Sequence, residues 1–298
     1  MINYNSSSEL KAFLEQENLG MRKKFGQNFL INPQVRNALI DALGANSGDE
    51  VWEIGPGLGA MTALLLDKGL KVKAFEIDTG FIRILKTFFS ANAGFNLIEG
   101  DVLKTWQTQS AAPLLLGNLP YNIAAVLIAD LIEQGRHFDR MVITVQKEVA
   151  LRMAAGAGSK DYSSFSVLRD SVYKVKTLMT IRPSSFYPAP NVDSMGVLLE
   201  KRENCDYPDI FYPLVRALFA SRRKTIKNNL LTFLSARLSN HGYGKTKLEN
   251  EINAIFKENT LSGNERAETL QTKQFASLAK TIDNMRLLNS DANCRKPC

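Results

Sequence analysis

The 298-residue sequence predicts an α/β fold: a mostly parallel sheet with helices around it, followed by a small all-helical domain. Three observations carry this reading. Short apolar strand signals alternate with longer helical ones between residues 51 and 145, the pattern that parallel strands with crossover helices produce. Strand signals stop after about residue 203, and the rest reads as helix. The length suits one large domain plus a small one, with ample core.

Residues 1–20 are polar, with a short helix around Leu10 to Gln16. Arg22-Lys23-Lys24 follows, a basic triplet that either touches RNA or, as charge runs more usually do, faces solvent. Val35, Leu39, Ile40 and Leu43 recur at helical spacing and predict a helix over 33–44. Strands are expected at 51–54, 71–76, 95–98, 113–116 and 141–145, and helices at 60–68, 79–90 and 123–134. Two runs, Val172 to Arg182 and Val192 to Leu199, joined by a Pro-containing loop, suggest an antiparallel pair closing the sheet. Gly156 to Tyr162 reads as a surface loop between helices. Residues 208–237, 245–257 and 264–285 read as helices with apolar faces, for example Leu270, Phe275, Leu278 and Ile282. The expected organisation is a polar segment at 1–20, a sheet domain at 21–203, a helical domain at 204–285 and a disordered tail at 286–298.

The chemistry-bearing residues sit at the ends of the predicted strands. Gly117-Asn118-Leu119-Pro120-Tyr121 leaves the apolar run Leu114-Leu115-Leu116, the carboxyl end of a buried strand, where ligands bind in open α/β sheets. The loop offers an amide that accepts a hydrogen bond, a stiffening proline and a flat ring. Such a set suits a planar amino-bearing heterocycle, or equally a tight turn whose tyrosine is core. Upstream, Gly55-Pro56-Gly57-Leu58-Gly59 lets backbone approach a ligand and opens a helix amino end. Its spacing is neither the dinucleotide glycine fingerprint nor a phosphate loop. Glu76 ends the next strand, at the place of a ribose-diol acceptor in nucleotide-binding α/β folds. Asp101, at the end of the third, suits an adenine amino group or merely caps the next turn.

Phe25 to Leu30, Glu53 to Gly59, Glu76-Ile77-Asp78, Gly100-Asp101 and Asn118 to Tyr121 together resemble the ribosomal RNA adenine dimethyltransferases that use S-adenosylmethionine. Gln146 to Ala150 and Phe186 to Ser194 resemble later motifs of the family, and the likeness spans roughly residues 20 to 280. It implies a Rossmann-like methyltransferase sheet whose last pair is antiparallel. It implies a donor site at Gln27, Asn28, Leu30, Gly55, Gly57, Glu76, Asp101 and Asn118, with Ile77 and Val102, each equally readable as plain core, around the donor's adenine. The catalytic loop implied is Asn118, Leu119, Pro120 and Tyr121. Tyr121 is expected to stack on the target base, and Phe186 to cover its other face or to be a core ring. Arg222, Arg223 and Lys224 form a charge run of the kind that usually faces solvent, and they also resemble a helical-domain motif of the family that faces RNA. The reaction implied is dimethylation of two adjacent adenosines near the 3′ end of small-subunit (16S) rRNA, within an assembling 30S-type subunit, by a monomer that needs no metal.

Composition agrees. The chain carries 37 basic and 30 acidic residues, net +7. Residues 204–298 hold 15 Lys/Arg and 9 Asp/Glu, so nearly the whole excess lies in the helical part, as a polyanionic partner favours. Cys205, Cys294, Cys298, His137 and His241 are scattered, which argues against a disulfide framework and against zinc. No apolar run is long enough to span a bilayer, and the expected location is the cytoplasm. Two other classes stay in view: a nicotinamide-dependent oxidoreductase, disfavoured by the glycine spacing, and a non-enzymatic RNA-binding factor, disfavoured by the complete Glu76, Asp101 and Asn118-to-Tyr121 set. Within the family the rival is the large-subunit dimethylase of macrolide resistance, disfavoured by Arg222 to Thr225 and Phe186 to Ser194.

Overall fold

The computed structural model describes residues 2–20, 27–119, 121–238 and 244–285. Arg22 to Gly26, Pro120, His241 and the tail with Cys294 and Cys298 lie outside the described residues, as does the side chain of Tyr121. The chain forms two compact units, one of residues up to 154 together with 173–201, the other of 155–172 and 202 onward.

In the first unit, helix α1 (Ser7–Gln16) precedes the short strand β1 (Phe29–Leu30) and α2 (Pro33–Ala42). Ser6 caps α1 through its hydroxyl, and Asn32 caps α2, with Pro33 at the first helical position where its missing N–H costs nothing. Then β2 (Glu50–Ile54), α3 (Ala60–Asp67), β3 (Lys71–Glu76), α4 (Thr79–Phe89), β4 (Phe95–Glu99), α5 (Val102–Thr105), β5 (Leu114–Asn118), α6 (Tyr121–Glu133) and β6 (Arg140–Gln146) alternate. After α7 (Lys147–Met153) and α8 (Ser164–Val172) come β7 (Tyr173–Ile181), β8 (Phe186–Tyr187) and β9 (Ser194–Lys201).

The seven-stranded sheet has the order β4-β3-β2-β5-β6-β9-β7. Strands β2 to β6 pair in parallel, and β9 lies antiparallel between β6 and β7. Central strands are largely apolar because helices cover both faces: Val51, Trp52 and Ile54 of β2 and Leu114 to Leu116 of β5 are all buried, with Glu53 a buried exception. Leu39, Leu43, Leu65, Val72 and Val142 form the core between α2, α3 and the sheet. Strand β8 pairs with β1 outside the main sheet.

The second unit holds α8 with α9 (Phe211–Phe219), α10 (Ile226–Leu238), α11 (Lys245–Glu258) and α12 (Thr272–Asn284). Its core is Leu214, Leu218, Leu230, Ile252, Phe256 and Leu278, with Phe219 stacked on Phe275 at 5.8 Å. Two expected helices are interrupted. The 208–237 run breaks between α9 and α10, where the buried Asn229 donates to the carbonyls of Leu218 (2.8 Å) and Ser221 (3.2 Å), answering the open end of α9. The 264–285 run makes one 3-10 turn at Ala267–Thr269 and becomes α-helical only at Thr272, behind a Gln271/Gln274 capping box.

The division also departs from an expected boundary at 203/204. Residues 155–172 join the helices because their polar groups are answered there: Asp170 accepts from Thr272 (2.7 Å) and Arg202 (2.6 Å), and Tyr162 donates to Leu270 O (3.0 Å). Lys160, Asp161, Arg169 and Asp170 cancel in charge, so the basic excess stays with this unit.

Candidate functional site

The strand order makes β2 and β5 neighbours while β3 and β4 extend one way and β6 the other. This is the switch point where an open α/β sheet leaves a crevice. A cavity of about 340 Å³ lies there. Its walls take Gly55 and Gly57 from the turn after β2, Glu76 and Ile77 from the end of β3, Asp101 and Val102 from the end of β4, and Asn118 and Leu119 from the end of β5. Gln27, Asn28 and Leu30 come from β1 and its approach. All the residues expected at a donor site therefore converge on one cavity.

The turn after β2 requires its glycines. Gly57 has φ +59 and its N–H points to Glu76, while a Cβ there would stand 3.0 Å from the Phe29 ring. Gly59 caps α3 at φ +88, and a Cβ would sit 2.4 Å from Phe89. Both positions are closed to a side chain, which keeps the turn's backbone against the cavity.

Glu76 is fixed by three backbone donors: Oε1 accepts from Ile77 N and Asp78 N (both 2.9 Å), and Oε2 from Gly57 N (3.1 Å). Burial nevertheless pushes its pKa up to about 7, against those hydrogen bonds and with a further push from Asp78. Beneath the turn, Glu53 is fully buried with Thr62 donating to it at 2.6 Å. Burial, and secondarily Glu76, raises Glu53 to about 7 as well. Glu53 Oε1 has no partner among the described residues.

The sign of the pH dependence follows. A carboxyl whose folded pKa is raised above 4.5 favours the protonated state in the fold, so this contribution to stability is lost as pH rises through about 7. Binding of a diol placed against Glu76 would run the other way, because the ionised carboxylate is the better acceptor. From pH 6 to 8 the ionised fraction climbs from about a tenth to about nine-tenths. Affinity for a diol-bearing nucleoside donor should therefore rise about tenfold over that range. Glu76→Gln should bind weakly with a flat profile in calorimetry; a variant that keeps the wild-type slope would move the titration elsewhere.

Asp101 caps the next helix, α5, with one oxygen accepting from Leu103 N (3.1 Å), and also lines the cavity. Ile77 is 43% exposed and lines the cavity, so it is not core; Val102 is buried yet also reaches the cavity wall.

At the end of β5, Asn118 Nδ2 donates to Asn28 O at 2.8 Å. A carbonyl only accepts, so this contact sets the amide orientation and leaves Oδ1 as an acceptor. Leu119 N donates to Thr144 O (3.0 Å), which carries the β5–β6 ladder into the loop and holds it. Tyr121 is the first residue of α6.

The structure chooses between the two readings of Phe186 and gives Arg222 partners of its own. Phe186 is 4% exposed, pairs with Leu30 across β1 and β8, and belongs to the core cluster with Leu39 and Met61. A ring enclosed by the core cannot also cover a base, so Phe186 is structural. Arg222 is engaged within its own unit: it meets Glu268 at 3.0–3.1 Å and donates to Lys160 O and Tyr162 O, each at 3.2 Å. It clasps the 156–162 loop to the turn after α9 while its side chain stays half exposed. Arg223 and Lys224 are exposed.

Other site residues had not been expected. Asp78 caps α4 through Gly80 N (2.9 Å) and accepts from Gln27 Nε2 (3.3 Å), which positions Gln27. An Asp-Thr pair opening an amphipathic run is a helix-start signal, so Asp78 was findable. Tyr4 and Leu10 also line the cavity, and nothing in their local sequence marks them.

Chemically, the described lining holds the carboxyls of Glu76 and Asp101 and no Lys, Arg or His. Such walls suit a cationic nucleoside and would repel a pyrophosphate. A model of the family described as ribosomal RNA adenine dimethylase matches residues 18–283. A "Ribosomal RNA small subunit methyltransferase A" of Treponema denticola is 47% identical over 292 residues, 95% of this chain and 97% of the relative. A protein of the same description from Borreliella burgdorferi is 38% identical over 95% of this chain and 96% of its own. Among solved structures, a dimethyladenosine transferase from Plasmodium falciparum superposes with a TM-score of 0.73 at 27% identity, over 85% of this chain and 96% of that one. The cavity chemistry and these matches agree, and the chain belongs to the ribosomal RNA adenine dimethylase family.

Proposed function

We propose that this chain transfers methyl groups from S-adenosylmethionine to the 6-amino groups of two adjacent adenosines near the 3′ end of small-subunit rRNA, acting as a cytoplasmic monomer on an assembling subunit. The observation that carries this reading is the oriented amide of Asn118, whose Oδ1 is left as an acceptor on a residue that lines an acidic nucleoside-sized cavity. Bound S-adenosylmethionine supplies a methyl group already activated on a cationic sulfur. Glu76 accepts from the ribose hydroxyls, and Asp101 from the donor's adenine amine. Gln27, held by Asp78, closes the approach from β1.

The target nitrogen is a poor nucleophile because its lone pair conjugates with the ring. Asn118 Oδ1 and the Leu119 carbonyl accept from its two hydrogens and so favour the pyramidal nitrogen of the transition state. No strong base is required, since the nitrogen sheds its proton after it has gained the methyl. Catalysis is then positioning and electrostatics, and no step calls for a metal. Tyr121 stacks on the target base.

The test is to incubate the protein and labelled donor, in parallel, with undermethylated small subunits and with undermethylated large-subunit RNA, and to map the label. Label on adjacent adenosines near the 3′ end supports the reading; label on large-subunit RNA alone would assign the chain to the other branch of the family.

Arg223 and Lys224 are the proposed phosphate contacts. Replacing both with Ala should weaken substrate binding and flatten the slope of log affinity against log salt by ~0.7–0.9 per contact. Arg222→Ala should leave that slope alone and lower the melting temperature instead. The opposite pattern would return Arg222 to the RNA interface.

A further inference from the structure

We propose that residues 2–19 form a strap that is part of the methyl-donor site, with Tyr4 and Leu10 as donor-contacting residues and Arg36 as the positioning residue that holds the strap shut. This rests on the reading of the cavity as the S-adenosylmethionine site.

Tyr4 and Leu10 share the cavity wall with Gly55, Gly57 and Glu76, although they lie some fifty to seventy residues away in sequence. Tyr4 Oη donates to Leu58 O at 3.0 Å and so fastens the strap directly to the glycine turn. Burial, with the Glu53 carboxylate nearby, pushes the Tyr4 hydroxyl up to about 12, which keeps it a donor at any working pH. Leu10 and Leu14, from the apolar face of α1, pack with Leu58, Phe81 and Ile84. At its far end the strap is tied to α4 by Arg83, which meets the Glu17 carboxylate at 3.0 Å and the Glu17 carbonyl at 3.2 Å.

Arg36 is the clasp. It is 4% exposed, and its guanidinium donates to Leu30 O (2.6 Å), to Tyr4 O (3.3 Å) and to Asn5 Oδ1. Its bonded partners are neutral oxygens, and its Nε has none among the described residues. Burying a guanidinium on such terms is expensive and depresses its pKa. A terminal segment that merely covered surface would not need it. The arrangement joins the strap to β1, whose residues Phe29 and Leu30 flank the same cavity. Donor and strap therefore stabilise each other: a bound donor fills the space against Tyr4 and Leu10, and opening the strap exposes it.

The experiment has three parts. Calorimetry first measures S-adenosylmethionine binding to the full chain; no binding would overturn the donor-site reading and the strap with it. Tyr4→Ala, Leu10→Ala and Arg36→Gln are then compared as folded proteins, checked by circular dichroism. Each should weaken donor binding about tenfold, and for Arg36→Gln the loss should fall on the donor KM rather than on kcat or on the RNA KM. Hydrogen exchange of the wild-type protein guards against variants that fail to fold: amides of residues 7–19 should exchange more slowly with donor present. A wild type that binds donor, with variants of unchanged affinity or a strap whose exchange ignores the donor, would overturn the strap alone.

Discussion

Replacing Asn118 with alanine should lower kcat by at least ~10²-fold, the loss expected when one preorganised polar contact to a transition state is removed. The side chain has two tasks, and the substitution removes both. Its Nδ2 bond to Asn28 O ties the end of β5 to the segment before β1, and its Oδ1 faces the reacting amine in the proposed mechanism. Asn118→Asp separates them. The acid keeps an acceptor but loses the donor to Asn28, setting a carboxylate against a carbonyl, so it should also be slow and should weaken donor binding. Single-turnover methylation at saturating donor and RNA is the measurement. A turnover near wild type in Asn118→Ala would reduce the residue to a turn former.

Phe186→Ala should destabilise the fold by ~3–5 kcal/mol, the usual range for removing a large buried aromatic, while methylation per folded molecule at saturating donor is retained. The ring fills the space between β1, α2 and the sheet, so its loss leaves a cavity beside Leu30, Leu39 and Met61. Tyr121→Ala should behave in the opposite way, losing ~1–3 kcal/mol of base binding with little change in melting temperature, and Tyr121→Phe should be nearly silent. Thermal melts and activity on the same preparations decide both residues. A Phe186→Ala protein of normal stability that no longer binds RNA would restore the ring to the base pocket.

These two residues mark where sequence reasoning stops. Asn118 was legible because several independent local signals meet on it: a buried apolar strand, then an amide, a proline and an aromatic ring at the strand's carboxyl end. Phe186 carries no such signal. A phenylalanine between prolines reads equally as a base cover or as core, and only the pairing of Leu30 with Phe186 across β1 and β8 chooses. Arg222, Arg223 and Lys224 are alike in sequence and all exposed, yet Glu268 and two carbonyls from the 160s engage the first.

From residue 50 to 146 the sequence by itself determined the five strands and the three long helices, though not the short α5, since period, glycine turns and strand-end groups are local properties written into adjacent residues. It determined too that acids and an amide would meet at the strand ends, because parallel strands joined by right-handed crossovers bring those ends to one side. Tertiary structure alone decided that residues 155–172 belong with the later helices, that 208–237 is two helices, and that Tyr4 and Leu10 reach the strand-end cavity. Each of these depends on partners far away in the chain: Asp170 with Thr272, Asn229 with Leu218, Arg36 with Tyr4. A hydrogen bond or a packed ring across such distances leaves no periodic trace in the residues that make it, so only the folded chain reveals it.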